Sequence, residues 1–268
     1  MPLAVCATPI GNLDDVTLRV LEELRRADLV LCEDTRRTVT LLRRHGIEKP
    51  LVSYHQHNEA ARTAEVVPRL LEGQEIALVS DAGLPGINDP GARLVAAALG
   101  AGVPVTVLPG PSAVETALVA SGLAVGRYQF LGYLPRGERA LGSLWEELRR
   151  WPHAVVAFES PKRLPASLAS LAQALPERPV AVCRELTKRF EEVIRGAPGE
   201  LAKRFVEPPR GEITLVIGPG AGGHGRDEEE AAAAVAELVG AGLGRKRAAD
   251  VVARLTGVPR NFLYRDSL

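Results

Sequence analysis

Three segments rich in glycine and proline each follow a short apolar run. They are TPIGNLDD at 8–15, SDAGLPGINDPG at 80–91 and PGPSAVET at 109–116. Glycine and proline hold a loop in one shape and let its backbone approach a ligand closely. One such loop could serve only to turn the chain, but three favour a binding pocket. The chain lacks GxxxxGK[ST] and a GxGxxG after a strand, which argues against a nucleoside triphosphate site and an ordinary dinucleotide fold.

The elements around these loops alternate between strands and helices. Apolar runs predict strands at 3–8, 27–32, 51–54, 75–80 and 103–108, and helical spacing predicts helices at 15–26, 35–45, 58–72, 90–101 and 111–122. This alternation predicts a parallel α/β sheet. Ligands of such sheets bind beyond the carboxyl ends of the strands, where all three loops would lie.

The pattern restarts near 122–127 and predicts a second α/β domain with a mixed sheet. Its predicted strands are 128–133, 153–160, 178–186, 191–196 and 212–218, and its predicted helices are 138–150, 161–174 and 198–206. We therefore expect an N-terminal α/β domain over 1–122 and a second over 123–218. A flexible linker over 219–230 would join them to the tail.

The tail, 231–268, has the periodicity of three short helices and is predicted to form a helix-turn-helix-like module. Six basic and two acidic residues give the segment 241–268 a net charge of +4 in a chain whose 33 basic and 33 acidic residues balance. Such a module could hold RNA backbone, or the charges could simply form a solvated surface.

The cysteines indicate neither a metal site nor a disulfide framework. Cys6, Cys32 and Cys183 are odd in number, widely spaced and free of CxxC spacing, which favours a reduced, cytoplasmic setting. The first residues also lack the basic start and apolar run of a secretory signal. We expect no metal and no membrane association.

Eight motifs, in chain order, resemble those of the ribosomal RNA small subunit methyltransferase I family of the tetrapyrrole-methylase superfamily. They are TPIGNLDD, CEDTR (32–36), SYHQHNE (53–59), SDAGLPGINDPG, LPGPSA (108–113), GYLPR (132–136), FESPKR (158–163) and RELTKRFEE (184–192). The resemblance runs from the first strand to about residue 218, and the basic tail resembles the family's carboxyl-terminal module.

The resemblance implies S-adenosylmethionine-dependent methylation of the ribose 2′-oxygen of cytidine 1402 in 16S rRNA, acting on the rRNA or the small ribosomal subunit. It also implies two α/β domains of the tetrapyrrole-methylase type and a homodimer. The cofactor-binding residues that it implies are Ile10, Asp81, Ala82, Gly83, Leu84, Ser112, Ala113, Phe158 and Thr214. Ser112 is equally well placed to cap a helix.

Methyl transfer to a hydroxyl is assisted by a base or by a cation that stabilises the developing alkoxide. Candidates at predicted strand ends are Glu33, Asp34, His55, Lys162 and Glu185. Asp34 could instead cap the helix at 35–45, and His55 could be structural. Lys162 and Arg163 are predicted to open a helix, where the dipole disfavours cations, so a binding role is favoured. Expected substrate-binding residues are Arg36, Asn58, Arg163, Arg184, Lys188, Arg245, Lys246 and Arg247.

Two other interpretations remain open. The chain could be another methyltransferase of the superfamily, acting on a tetrapyrrole carbon or on a modified histidine of a translation factor. It could also be a non-catalytic RNA-binding protein that uses only its tail. Cofactor binding would separate the enzymes from the binding module, and the basic tail favours an RNA substrate over a small molecule.

Overall fold

The computed structural model describes residues 1–123, 126–220, 225–256 and 258–266. Clustering of its contacts divides the chain into two compact units. The first comprises residues 1–120, 183–193 and 211–214, and the second comprises 121–182, 194–210 and 215–268. The domains predicted as continuous segments therefore differ from these units, because 183–193 and 211–214 pack with the first one.

The first unit contains a five-stranded parallel sheet in the order β3-β2-β4-β1-β5. Its strands are β1 (Leu3–Cys6), β2 (Leu29–Cys32), β3 (Leu51–Ser53), β4 (Ile76–Val79) and β5 (Val105–Leu108). The predicted parallel sheet is confirmed. The central strands β1, β2 and β4 are buried along their whole length, as expected for strands covered on both faces.

Helices follow each strand of this sheet and cover it. They are a 3₁₀ turn (Leu13–Asp15), α1 (Leu18–Arg26), α2 (Thr35–Arg44), α3 (Glu59–Leu71), α4 (Ala92–Gly100) and α5 (Ala113–Ser121). Two apolar clusters form the core, one containing Val20, Leu24 and Leu42 and the other Val66, Leu94 and Leu70. Thr17 caps α1 by accepting a hydrogen bond from the Val20 amide.

A second five-stranded sheet is mixed and has the order β6-β7-β10-β8-β9. Its strands are β6 (Tyr128–Tyr133), β7 (Ala154–Glu159), β8 (Val180–Arg184), β9 (Glu192–Gly196) and β10 (Ile213–Ile217). The helices α6 (Glu138–Arg149), α7 (Leu164–Ala174) and α8 (Pro198–Arg204) accompany it. Buried Trp145 and Leu168 are among the side chains of its core.

Buried Arg178 ties together chain segments of the second unit. Its guanidinium donates hydrogen bonds to the carbonyl oxygens of Leu148, Trp151, His153 and Gly218 at 2.6–3.0 Å. Burial lowers the pKa of Arg178, yet the carbonyl oxygens compensate for the lost hydration. The bonds join the end of α6 to the chain that leaves β10.

The tail forms three helices, α9 (Gly225–Gly240), α10 (Arg245–Thr256) and α11 (Arg260–Asp266), as predicted. Val235, Val252 and Leu263 belong to an apolar cluster made only of tail residues. The linker predicted over 219–230 is wrong in its second half, because α9 already begins at Gly225. Glutamate is a good helix former, which outweighs the glycines that precede it. Among the described residues, no helix has the length and apolar composition needed to cross a membrane.

Within the first unit, the loop after β1 approaches the segment 185–188 very closely at Gly11. A Cβ atom at Gly11 would lie 2.5 Å from Cγ of Lys188 and 2.7 Å from Oγ1 of Thr187. The neighbouring Asn12 amide donates a 3.0 Å hydrogen bond to the Thr187 hydroxyl. Only a residue without a side chain fits at this position.

We expect Gly11→Ala to destabilise the protein by about 1–3 kcal/mol, the usual range for overpacking. Gly142→Ala, in open space on α6, is the control and should stabilise slightly because alanine favours helix. Chemical denaturation of both variants measures the difference. A Gly11→Ala protein as stable as wild type would show that the two loops separate at little cost.

Candidate functional site

A cavity of about 310 Å³ lies in the first unit at the carboxyl edge of β1 and β4. Its volume is at the lower end of the range for small-molecule pockets. The cavity is lined by the loop after β1, by α2, by the loop after β4, and by Lys188 and Glu212. The lining residues are Thr8, Pro9, Ile10, Gly11, Leu13, Arg37, Thr38, Thr40, Leu41, Ser80, Asp81, Ala82, Lys188 and Glu212. Of the three turn-rich loops predicted to line a pocket, those at 8–15 and 80–91 contribute to this lining and the one at 109–116 does not.

Backbone hydrogen bonds join the loops after β1 and β4. The Thr8 amide donates to the Gly83 carbonyl at 2.8 Å, and the Gly83 amide donates back to Thr8 at 3.0 Å. The buried Thr8 hydroxyl also donates to the Ser80 carbonyl at 2.9 Å. Gly83 has φ of 81°, a conformation that side chains disfavour. The two loops therefore form one wall of the cavity.

Asp81 connects this wall to α2. Its Oδ1 accepts a 3.0 Å hydrogen bond from the Asp34 amide, and its Oδ2 lies 3.5 Å from Nε of Arg37. The carboxylate thus fixes the start of α2 and holds the Arg37 guanidinium at the cavity. Arg37 was not among the sequence candidates, although its neighbour Arg36 was.

Asp34 and Arg36 neutralise each other outside the cavity lining. The Asp34 carboxylate caps α2 by accepting from the Arg36 amide, and it forms two further bonds to the Arg36 guanidinium at 3.0 and 2.7 Å. The hydrogen bonds from Arg36 lower the pKa of Asp34 to about 2. The capping interpretation of Asp34 is confirmed, and so low a pKa makes it a poor base.

His55 and Asn58 build the turn after β3. The His55 amide donates to Oδ1 of Asn58 at 2.8 Å, and Nδ2 of Asn58 donates to the Ser53 carbonyl at 3.1 Å. The Asn58 side chain is therefore occupied by the turn. Nδ1 of His55 is buried and has no hydrogen-bond partner among the described residues.

Glu33 and Asp89 are two further carboxylic acids near Asp81 at this edge of the sheet. Burial raises the pKa of Glu33, and the charge of Asp81 adds to the effect. Burial, together with the charges of Glu33 and Asp81, raises the pKa of Asp89 to about 6. Sequence reasoning missed Asp89, although it lies in the same turn-rich loop as Asp81, because a DP pair in a loop is first interpreted as a turn.

The segment 184–188 is strained and fixed by charges. Glu185 has φ of 51° and Thr187 has φ of 65°, which is rare for a β-branched residue. Oε1 of Glu185 accepts bonds from Nζ of Lys188 at 2.8 Å and from the Glu212 amide at 2.9 Å. The bond from Lys188 lowers the pKa of Glu185, and Nζ of Lys188 also reaches Oε2 of Glu212 at 3.0 Å.

The remaining candidates of the first unit are spread over several elements. Ile10 and Ala82 line the cavity, whereas Gly83 and Leu84 continue the same loop. Ser112 directly precedes α5, where Ala113 is the first residue; its hydroxyl donates to the Glu115 carboxylate. Thr214 is buried in β10, and Arg184 pairs with Glu192 at 3.1 Å.

In the second unit, Lys162 and Arg163 lie in a turn and not in the helix. The prediction that they open the helix is wrong, because α7 begins at Leu164. The Arg163 guanidinium is held by the buried Glu159 carboxylate and by the Leu134 carbonyl, so it is used within the fold. Lys162 is exposed.

Phe158 lies in β7, and Arg245, Lys246 and Arg247 form the first turn of α10.

The described residues contain no group of three or more histidine, cysteine, aspartate or glutamate side chains that could hold a metal ion. Cys6, Cys32 and Cys183 are all buried and none forms a disulfide. Burial raises the pKa of the Cys6 thiol to about 12, which keeps this thiol protonated and unreactive near neutral pH.

The pKa of Asp89 predicts a pH-dependent stability. Since its folded pKa lies above the ordinary value of 3.8, the folded state binds the proton more tightly and loses stability as pH rises from about 4 to 6. Asp89→Asn should therefore raise the free energy of unfolding at pH 8 by about 1 kcal/mol. This is less than the full pKa shift would correspond to, because Asp89 is partly exposed and solvent screens its charge.

Chemical denaturation at pH 4 and pH 8 measures this difference, which should be near zero at pH 4. Asp15→Asn, at an exposed carboxylate in the 3₁₀ turn, serves as the control. An equal effect of Asp89→Asn at both pH values would contradict the proposed cost of ionising Asp89.

Known proteins resemble the chain in sequence and in fold. Residues 2–202 match the family model described as Tetrapyrrole (Corrin/Porphyrin) Methylases. A solved uroporphyrin-III C-methyltransferase from Thermus thermophilus, complexed with S-adenyl homocysteine, shares the fold with a TM-score of 0.55 and 20% identity, over 81% of this chain and 96% of that one.

Two sequence relatives carry the same name, Ribosomal RNA small subunit methyltransferase I. The protein from Micromonospora olivasterospora is 44% identical over 98% of this chain and 85% of its own length. The protein from Thermotoga maritima is 44% identical over 80% of this chain and 97% of its own length. Because the first of these relatives is aligned over nearly the full length of the chain, the chain belongs to the ribosomal RNA small subunit methyltransferase I family and is a methyltransferase.

Proposed function

We propose that the protein transfers the methyl group of S-adenosylmethionine to the ribose 2′-oxygen of cytidine 1402 in 16S rRNA, on the small ribosomal subunit. The observation that carries this proposal is the cavity, because the family motifs TPIGNLDD, SDAGLPGINDPG and RELTKRFEE all contribute to its lining. These motifs are far apart in sequence and meet at the carboxyl edge of a parallel sheet, where such folds bind ligands.

The cofactor would be held by the loops that form the cavity wall. Ile10, Asp81 and Ala82 line the cavity, and Gly83 brings backbone close to it. Ser112 and Ala113 would contribute from the start of α5, and Leu84 would add an apolar contact. In this proposal Asp81 acts partly through Arg37, since its carboxylate is already bound to Arg37 and to the Asp34 amide.

The reaction is an in-line displacement at the methyl carbon. The 2′-oxygen forms a bond to the methyl carbon while the carbon–sulfur bond breaks, its electron pair stays on sulfur, and the 2′-proton passes to a base. Alignment of the oxygen with the carbon supplies much of the acceleration. The residues of the chain therefore have to position the ribose and accept one proton.

Among the five catalytic candidates, the ion pairs favour Glu33 and Lys162. Asp34 is paired with Arg36, and Glu185 with Lys188. Glu33 has a raised pKa caused first by burial, which makes it a better proton acceptor near neutral pH than an ordinary carboxylate. Exposed Lys162 could stabilise the developing alkoxide or bind phosphate. His55 has a buried Nδ1 without a hydrogen-bond partner among the described residues, so it also stays a candidate.

Mass spectrometry of 16S rRNA tests the proposal. Small subunits from a strain that lacks this gene, incubated with the protein and S-adenosylmethionine, should gain one methyl group on the ribose of cytidine 1402. Lys162→Ala should lose turnover by at least tenfold while keeping its cofactor affinity, whereas Lys203→Ala, an exposed lysine on α8, should not. A methyl group on a base or on another nucleotide would contradict the proposed reaction.

We also propose that the tail binds RNA backbone. It packs around its own apolar cluster, and Lys246, Arg247 and Arg254 are exposed, whereas Arg260 is paired with Asp250.

The double variant Lys246→Gln and Arg247→Gln should raise KM for small subunits several-fold at low salt and leave kcat and cofactor affinity unchanged. Each lost phosphate contact should also reduce the salt dependence of binding. Arg19→Gln with Arg43→Gln, two exposed residues on α1 and α2, is the charge-matched control. Unaltered KM and salt dependence in the tail variant would mean that these two cations do not touch RNA.

The protein is further proposed to be a cytoplasmic homodimer. Edge strand β5 exposes Val107 by 51%, and α5 exposes Val119 by 83%. Exposed apolar side chains of this kind support a surface that is covered in an assembly. A molecular mass of a monomer in sedimentation equilibrium would contradict the dimer. The three buried cysteines, none of which forms a disulfide, are consistent with a cytoplasmic location.

A further inference from the structure

Strand β6 contains an irregularity that changes the direction of Tyr133. Phe130 pairs with Val156 of β7, but Tyr133 pairs with Phe158, so three steps on β6 match two on β7. Gly132, inside this bulge, has φ of 70°. Because side chains alternate along a regular strand, Phe130 and Tyr133 would lie on opposite faces; the extra residue puts both on the face of Val156 and Phe158.

Three aromatic rings meet on this face and form an aromatic platform, defined as Phe130, Tyr133 and Phe158. The rings of Phe130 and Phe158 are 5.1 Å apart at 69°, and those of Tyr133 and Phe158 are 5.6 Å apart at 64°. Both contacts have the edge-to-face geometry that stabilises aromatic pairs. Tyr133, however, is 65% exposed, so much of its surface faces solvent while its ring packs edge-on against Phe158.

The backbone that carries Tyr133 is fixed by the neighbouring motif. The amide of Leu134 donates to the Phe158 carbonyl at 3.0 Å, and its carbonyl accepts from Nη2 of Arg163 at 2.8 Å. Arg163 is in turn held by the buried Glu159 carboxylate, which also accepts from Ser167 at 2.5 Å. The exposed ammonium of Lys162 belongs to the same turn as Arg163, so a cation and an aromatic ring share one rigid support.

We propose that Tyr133 is a nucleobase-binding residue, on whose ring a single-stranded base of the RNA substrate stacks. This inference rests on the proposed function and names one contact to the RNA substrate. Every base has a π-face, and a rigid, exposed ring at the carboxyl end of a parallel strand pair is the surface that unstacked bases use. Lys162 supplies a positive charge for the adjoining phosphodiester chain.

The test compares Tyr133→Leu, which removes the ring but keeps apolar bulk, with Tyr133→Phe, which keeps the ring. Tyr128→Leu is the matched control, because Tyr128 is 40% exposed at the amino end of the same strand. The first readout is the Kd of a fluorescein-labelled ten-nucleotide cytidine RNA, from anisotropy. The second is KM for unmethylated small ribosomal subunits, and calorimetry measures the affinity for S-adenosylmethionine.

Tyr133→Leu should raise both Kd and KM about tenfold, as the loss of one stacked base predicts, with unchanged cofactor affinity. Tyr133→Phe and Tyr128→Leu should stay within twofold of wild type. Equal oligonucleotide affinity of wild type and Tyr133→Leu would overturn the proposal. A loss of S-adenosylmethionine affinity with unchanged RNA binding would also overturn it, because the ring would then contact the adenine of the cofactor.

The two hypotheses fail in different ways. If wild-type protein adds no methyl group to small subunits, the proposed function fails, but the oligonucleotide readout still decides whether Tyr133 binds a base. If methylation proceeds and only the Tyr133 variants behave as wild type, the function stands and the stacking role is excluded. Unchanged cofactor affinity in Tyr133→Leu shows in either case that the variant is folded.

Discussion

The cavity depends on the close approach at Gly11 between the loop after β1 and the strained segment 185–188. A Cβ atom there would overlap Lys188 and Thr187, so any other residue at this position would push the two walls apart. Left-handed backbone at Glu185 and Thr187 costs free energy that the surrounding bonds must offset. The Glu185–Lys188–Glu212 ion pairs and the Asn12–Thr187 hydrogen bond do so, and they bring Lys188 to the cavity lining.

The same arrangement keeps the cavity close to electrical neutrality. Arg37 is paired with Asp81, and Lys188 with Glu185 and Glu212, so neither cation contributes an uncompensated charge. Beside them, Asp89 has a pKa raised to about 6 by burial and by its acidic neighbours. With both of its cations paired, the cavity offers a polyanion no net attraction. If RNA is the substrate, as proposed, attraction for its backbone has to come from other surfaces, such as Lys162 and the basic first turn of α10.

Much of the fold could be predicted from the sequence, because apolar periodicity reports burial directly. Strand β6 was predicted with its observed bounds, and α2 and α8 within one or two residues. What failed depends on packing between distant segments: residues 183–193 join the first unit, and Arg163 precedes its helix because Glu159 binds it. Asp89 and Arg37 were missed because the pKa of Asp89 depends on Glu33 and the position of Arg37 depends on Asp81, and in each case the fold brings the partner near from a different loop.

In the motifs of the second unit, some residues stabilise the fold and others are exposed at the surface. In FESPKR the two charges of Glu159 and Arg163 satisfy each other, which leaves Lys162 as the cation available at the surface. In GYLPR the bulge at Gly132 turns Tyr133 onto the face of Phe158, and the Leu134 carbonyl receives Arg163. Because Arg163 bonds to both motifs, loss of Glu159 would release the lysine and the aromatic ring together. The buried carboxylate of Glu159 is therefore needed to fix Lys162 and Tyr133, although it contacts neither of them.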